Sequence, residues 1–545
     1  MDLVETTVNA LRRSTACAVA AFLCSCAAFA QTTPAGVPVP FTAAVAGIGS
    51  VATASSCSTG YLTTDGSTLG DGCASTLSKL TAPQGAAIDK YGNVYIADYN
   101  DRSVRVIYNG NTALATAIKA ANSGYTIGYN QTSRSAPAPM PVVGDIYTIA
   151  GVGDNAITPA QTYATLTVTN TDGKFACGNV AGNPDALNSL GDGCPAASAT
   201  IGPRDVSVDN DGNLFFTDYT NSRIRIFCVN CATGTMAATL IAQQQGASVT
   251  PVNGAMYTIV GFAGGYRDAA PGYASTGNVT GATAAQNIAL LRSPTAAIES
   301  STDDVFIADN LNNAVRLLYN GGAVAKAILS ANGITPTRGY VYTIAGAGCV
   351  SALTTKTGSV ATANACLTTT PAAPATADTV TLGNVTPVNV AWTVYLDTNS
   401  NLYFTDSGNS RIKVIYGGVA NPLTLTGTLK TGYVYSFAGQ GSSLPGAVTG
   451  VAPSAIALAS PQGVGGDQYG NIFFLDYTNG LIYETYAQNG IAAIIAGGAG
   501  NATPAAAAYC NGGSTGPQMS DAFYDGCPAT QSKFTGTRGP LVTDA

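Results

Sequence analysis

Gly92-Asn93-Val94-Tyr95-Ile96-Ala97-Asp98 is the stretch whose reading decides the fold. It returns as Gly212-Asn213-Leu214-Phe215-Phe216-Thr217-Asp218 and, shortened, as Asp304-Val305-Phe306-Ile307-Ala308-Asp309. Two further copies are Asn401-Leu402-Tyr403-Phe404-Thr405-Asp406 and Gly470-Asn471-Ile472-Phe473-Phe474-Leu475-Asp476. Each copy combines a tight turn, a short apolar and aromatic run of strand type, and a closing aspartate. Recurrence of one such unit along a chain marks a repeat architecture.

Working outward, the flanks repeat too. A proline precedes each of four copies (Pro83, Pro203, Pro294, Pro461) and opens a strand a. The quoted run is strand b. A strand c follows, as in Val104-Arg105-Val106-Ile107 and Ile224-Arg225-Ile226-Phe227. After a connection of variable length comes a glycine-ended strand d, as in Tyr147-Thr148-Ile149-Ala150-Gly151, Tyr257-Thr258-Ile259-Val260-Gly261 and Tyr342-Thr343-Ile344-Ala345-Gly346. Four short antiparallel strands per unit, repeated radially, form an all-β β-propeller. Neighbouring blades cover each sheet on both faces, which explains why strands b and c are apolar almost throughout. The long, unequal connections argue against a linear solenoid. Weakly helical runs at Ala113–Ala121 and Val324–Ala331 read as surface decoration between strands c and d.

The units resemble the NHL repeat family. The residues that carry the likeness are the Gly-Asn turn, the strand, an Asp, then an Asn or Asp and a basic residue: Asp98, Asp101 and Arg105; Asp218, Asn221 and Arg225; Asp309, Asn312 and Arg316; Asp406, Asn409 and Lys413. The fifth unit has Asp476 and Asn479 but Tyr483 at the basic position, and the fourth strand a reads as lengthened between Pro387 and Asp397. The resemblance implies a six-bladed type of propeller with five complete blades, near 81–151, 201–261, 292–346, 386–439 and 459–497. A partial sixth blade is expected from 41–49 and 535–545, because a strand d near Phe41–Gly47 lacks its unit. Likewise Asp525-Gly526-Cys527 to Thr535 repeats Asp71-Gly72-Cys73 to Thr81. Pairing the two termini would cover exposed sheet edges; a chain continuing past Ala545 is the other reading.

Composition narrows the function. The chain of 545 residues is only 10% charged, with a net charge of -7 and no basic cluster, so a nucleic-acid partner is not expected. It has no histidine, which removes Ser-His-Asp and Cys-His catalysis and histidine metal sites. Residues 1–30 read as a signal peptide: Arg12 and Arg13, an apolar run from Ala16 to Ala28, then small residues before Gln31. The run is short of the roughly 20 residues that span a bilayer; Leu23-Cys24-Ser25-Cys26 leaves a lipoprotein anchor as the minor alternative. The mature part, 31–545, is then secreted, periplasmic or in the cell envelope, with no membrane span. Eight of its ten cysteines form pairs of nearly constant spacing, Cys57/Cys73, Cys177/Cys194, Cys349/Cys366 and Cys510/Cys527. They suggest local disulfides, each contributing on the order of 3 kcal/mol. Cys228 and Cys231 form a CxxC for which a structural disulfide suits an exported chain.

The closing aspartates Asp98, Asp218, Asp309, Asp406 and Asp476 recur in every unit, so they are expected to accept backbone N–H bonds in the b–c turn. Asp89, Asp209, Asp397 and Asp467, with Ser300 in the third unit, read as turn residues between strands a and b. Regular spacing around a ring does not converge ligands on a calcium ion, and no cofactor or metal is expected. Residues that differ between units are better candidates for binding. Gln84, Arg204, Thr295 and Gln462 follow the strand-a prolines, and Tyr99, Tyr219, Asn310, Ser407 and Tyr477 follow the aspartates. Of these, Gln84, Tyr99, Arg204, Tyr219, Gln462 and Tyr477 are the candidate ligand-binding residues, on a looped face suited to a protein, peptide or glycan. A propeller enzyme of the lactonase or lyase kind is the alternative, with Asp205 as its one central carboxylate; the sensor portion of a larger surface protein is a third.

Overall fold

The computed structural model describes residues 71–122, 140–151, 192–193, 195–199, 201–245, 249–261, 291–299, 304–346, 388–441 and 449–497. It also describes short stretches at 18–20, 23–25, 31–32, 38–39, 46 and 381–382. Within them the chain is an all-β propeller of five blades built on four antiparallel strands, and in the first and fourth a two-residue fifth strand, Cys73–Ala74 and Thr381–Leu382, pairs with strand d. The first blade comprises strands a to d at Pro83–Ile88, Val94–Asp98, Ser103–Ile107 and Asp145–Ala150. The second comprises Pro203–Val208, Leu214–Asp218, Arg223–Phe227 and Met256–Val260. The third comprises Ala296–Glu299, Val305–Asp309, Ala314–Tyr319 and Tyr340–Ala345. The fourth is Val394–Leu396, Leu402–Asp406, Arg411–Ile415 and Tyr433–Ala438, and the fifth Pro461–Gly466, Ile472–Asp476, Leu481–Thr485 and Ala492–Ala496. The a strands of successive blades pack on one another, which places them innermost. The segments expected to form a sixth blade, 41–49 and 535–545, and the signal peptide lie outside the described residues, apart from a few isolated positions.

Strands b and c are buried almost end to end, because each sheet is sandwiched between its neighbours. Their aromatic residues fill the seams: Tyr403, Phe437, Phe474 and Tyr483 run across the fourth and fifth blades with successive ring centroids 5.1 to 6.4 Å apart. The basic residue of strand c is buried as well, and in the second, third and fourth blades it reaches the closing aspartate of its own blade. Lys413 Nζ lies 2.8 Å from Asp406 Oδ2, and Arg316 Nη1 lies 3.0 Å from Asp309 Oδ2. In the first two blades the arginine meets an acid from the preceding loop, Asp71 at 2.8 Å from Arg105, and Asp192 beside Arg225.

The turns between strands a and b explain the recurring Asp and Asn. Asp209 Oδ1 accepts the N–H groups of Asp211 and Asn213, while its other oxygen takes the Asn213 amide. The Asn213 side-chain oxygen then accepts the N–H groups of Val229 and Asn230 at the end of strand c. Asp89, Asp397 and Asp467 repeat this with Asn93, Asn401 and Asn471. In the third blade Asp304 takes the asparagine's place and accepts from Asn320. Ser300 lies outside the described residues.

Two expectations change. Strand a of the fourth blade is three residues long, not lengthened, since the chain from Val388 to Thr393 runs without ladder pairing. The helices are not surface decoration. Three of them, α1 (Thr112–Ala121), α2 (Met236–Gln245) and α3 (Ala323–Ala331), follow strand c of the first three blades. Leu114, Ala117, Ile118 and Ala121 of α1 are buried. Each helix lies against a glycine of the next blade: Gly254 beside Ala117 and Ala120, Gly339 beside Gln243 and Gln244, Gly432 beside Ile328 and Ala331. The helices are therefore wedges between blades, and α2 has no counterpart in the sequence reading.

Cys228 and Cys231 form a disulfide, with Cα atoms 5.5 Å apart and both side chains buried. Cys228 stands ten residues after the closing aspartate of its blade, where the other blades have Tyr108, Tyr319, Tyr416 and Tyr486. In the first blade the Tyr108 hydroxyl donates to the carbonyl of Asn111, three residues on. The disulfide closes the same span covalently. Cys73 is also disulfide-bonded. Cys57, Cys177, Cys194, Cys349, Cys366, Cys510 and Cys527 lie outside the described residues.

Candidate ligand site at the mouth of the ring

The repeated aspartates are occupied by the backbone. Oδ1 of Asp98, Asp218, Asp309, Asp406 and Asp476 accepts the N–H of Thr81, Gly202, Arg292, Asn389 and Ala459 respectively, at 2.7 to 3.0 Å. These donors precede strand a rather than lying in the expected b–c turn, so each acid pins the start of its own blade. In four blades the asparagine three residues on donates to the same carboxylate. In the first blade Asp101 replaces it, and two buried carboxyl groups face each other.

A register position common to all five blades lies at the start of strand a or in the segment leading into it. Gln84, Arg204, Thr295, Trp392 and Gln462 each stand fourteen residues before the closing aspartate of their blade. Trp392, the only tryptophan of the chain, was missed because the fourth blade lacks the proline that marks the others. Counting back from Asp406 would have found it.

Arg204 reaches across this mouth. Its guanidinium carbon lies 4.2 Å from the ring centroid of Tyr219, 4.5 Å from that of Trp392 and 5.5 Å from that of Tyr99. The two tyrosines meet edge to face at 6.0 Å. Arg204 Nε donates to Gln84 Oε1. Side chains of the first, second and fourth blades thus converge on one cation, and π faces compensate its charge where water is scarce. The sequence-predicted Gln84, Tyr99, Arg204 and Tyr219 form one cluster, with Trp392 added.

The others are placed differently. Gln462 is buried in the fifth blade, donates weakly to Ser460 at 3.4 Å and has a buried Oε1 with no hydrogen-bond partner. Its backbone carbonyl accepts the Thr393 hydroxyl. Tyr477 is half-buried at the equivalent of Tyr99. Thr295 and Asn310 both donate to the carbonyl of Ala391, and Ser407 donates to that of Pro461. Those three stitch neighbouring blades together.

Asp205, next to Arg204, is buried, and burial pushes its pKa well above the carboxylate range against the N–H groups of Val206 and Ala297. Its Oδ1 has no hydrogen-bond partner. Gly85 leaves the space it needs, since a Cβ there would stand 2.5 Å from that oxygen. Among the described residues no group of three or more His, Cys, Asp or Glu side chains is placed to hold a metal ion. Nor is any described helix long and apolar enough to cross a membrane.

No protein-family model matches the chain, so the NHL resemblance rests on the residues quoted above. No curated protein matches it either. Among solved structures, the chain is similar to virginiamycin B lyase from Staphylococcus aureus, at 10% identity and TM-score 0.30 over 75% of this chain and 69% of that one. It is similar to a Xanthomonas campestris gluconolactonase at 9% identity and TM-score 0.33, covering 76% of each. It is similar also to an auxiliary nutrient binding protein from Bacteroides ovatus at 13% identity and TM-score 0.29, over 62% of this chain and 54% of that one. Likeness this distant says nothing of ligand or activity.

Proposed function

We propose that this chain is an exported, cell-envelope binding module of the NHL-repeat type that holds a protein, peptide or glycan at the mouth of its ring. One observation carries the reading. Where the blades are allowed to differ, three of them send a glutamine, an arginine and aromatic rings to a common point. Arg, Trp and Tyr are the residues that dominate binding energy in protein interfaces. The buried Cys228–Cys231 disulfide suits an oxidising compartment.

The test is a binding screen of the purified chain against envelope proteins, peptides and cell-wall glycans, repeated with Arg204→Gln, Tyr219→Ala and Trp392→Ala. A ligand whose affinity falls with all three substitutions supports the reading. A ligand indifferent to them places binding elsewhere.

A further inference from the structure

We propose that the face opposite the mouth rests on an anionic lipid surface. Strand a starts and strand b ends at the mouth, so the a–b turns and c–d connections of the antiparallel blades share the opposite face. Of the ten large apolar residues exposed among the described ones, eight stand there. Tyr91 and Tyr469 tip the a–b turns of the first and fifth blades; Met140, Val142, Val143, Val252, Val419 and Ile491 lie in c–d connections. Only Leu77 and Leu311 are on the mouth side. Exposed charge segregates in the same way. Among the described residues the exposed charged side chains are Lys90, Lys119, Lys326, Arg338 and Lys430 against Asp211 alone, all on this face of a chain whose net charge is -7. None of the five cations is in an ion pair with a described residue. The acids nearby sit deeper. Asp89, Asp397 and Asp467 are half-buried and Asp209 is buried, each with both carboxylate oxygens bonded within its own turn. Asp145 and Glu484 are half-buried as well. The cations come from three blades, so no basic run marks them in the sequence.

One turn shows how the two kinds of residue are set out. Just before strand d, the N–H groups of Val142, Val252, Thr337 and Lys430 donate to the hydroxyls of Tyr147, Tyr257, Tyr342 and Tyr435, at 2.8 to 3.0 Å. The turn is thereby fixed, so its tip meets a partner with little further ordering. That tip carries valine in the first two blades and a cation in the next two, Arg338 and Lys430. Packing does not ask for the valines: Val142 and Val143 are 59% and 61% exposed. A protein partner would need a continuous complementary patch. Here the side chains rise singly from turns of separate blades, an arrangement that fits a phase able to deform around them. Aliphatic tips enter the acyl boundary, tyrosines settle at headgroup level, and the cations meet lipid phosphates. The mouth then points away from the bilayer, and ligand binding there stands or falls separately.

Co-sedimentation of the purified chain tests this with phosphatidylcholine vesicles carrying about a third phosphatidylglycerol and with pure phosphatidylcholine vesicles. Calorimetry with soluble polyglutamate supplies a third arm. The expected result is saturable binding to the anionic vesicles only, weakened by raising the salt to about 0.5 M. Arg338→Gln and Lys430→Gln should each weaken it about fivefold. Val142→Ser combined with Val143→Ser should weaken it about 10- to 100-fold. Leu311→Ser removes an exposed leucine from the mouth side and should leave vesicle binding unchanged. Equal binding to both kinds of vesicle overturns the anionic surface. Binding of polyglutamate in place of vesicles overturns the lipid in favour of an acidic macromolecule. Absence of vesicle binding at millimolar lipid, or binding that the arginine, lysine and valine substitutions do not touch, overturns the proposal and leaves the reading of the mouth as it was.

Discussion

The guanidinium of Arg204 lies 4.5 Å from the ring centroid of Trp392, although the two residues belong to blades separated by the whole of the third. They meet because both occupy the same register position of strand a, or of the segment leading into it, and both side chains lean over the axis. Thr295, between them, is too short to intervene and turns its hydroxyl to the Ala391 carbonyl instead. The mouth is thus closed over by an aromatic-gripped cation.

That contact sets a first prediction. Arg204→Met should destabilise the fold by about 1–2 kcal/mol through lost cation–π contacts, read by chemical denaturation. The lone tryptophan should become more accessible, which acrylamide quenching reports.

The Asp98–Asp101 pair makes stability depend on pH. Burial raises both pKa values, that of Asp98 strongly; the Asp101 charge raises Asp98 further against Arg105 and the Thr81 N–H, while Thr81, Lys79, the hydrogen bond with Asp98 and Arg105 hold Asp101 back. Folding therefore favours protonation. The stabilisation is complete below the ordinary carboxylate range near pH 4 and is lost as pH climbs through the raised folded values. Asp101→Asn supplies the amide that the other four blades use. It should raise stability by about 1–2 kcal/mol at pH 8 and change little at pH 4, as melting curves at the two pH values would show.

Blade-to-blade wedging predicts unequal costs for two similar glycines. Gly144 and Gly254 both have positive φ, 90° and 82°. A Cβ on Gly254 would stand 2.5 Å from Ala120 Cβ, whereas one on Gly144 meets nothing within 4 Å. Gly144→Ala should cost only the backbone strain of about 1 kcal/mol. Gly254→Ala should cost about 3 kcal/mol or more, since α1 must move. Equal costs would mean that the helix does not bear on its neighbour.

The Cys228–Cys231 disulfide has both side chains at most 1% exposed. A thiolate cannot reach such a sulfur in the folded chain. Dithiothreitol should leave this disulfide intact until denaturant unfolds the second blade, a sequence of events that alkylation and mass spectrometry resolve.

Much of the architecture was written in single residues. The closing aspartates and the Gly-Asn turns announced the blades, because a repeated unit repeats its hydrogen bonds. Even so, the acids' donors were misplaced: Thr81 and Ala459 are 17 residues from Asp98 and Asp476 along the chain, a distance no turn rule spans. Trp392 escaped because Ala391 stands where the other blades have proline, so the local marker was lost while the register survived. The role of the helices was hidden for another reason. The apolar face of α1 reads like any short amphipathic segment, and its partner Gly254 belongs to the following unit. Within the mouth, Gln84, Tyr99, Arg204 and Tyr219 were legible as departures from the repeat; that they share one point is a property of the ring alone.

The most direct measurement of the central claim is the emission of Trp392 while a partner from the binding screen is titrated in. Because it is the only tryptophan of the chain and it touches Arg204, its spectrum should shift in proportion to occupancy and reach a plateau at saturation. Saturating binding of a tryptophan-free partner that leaves that emission unchanged would contradict the placement of the site at the mouth of the ring.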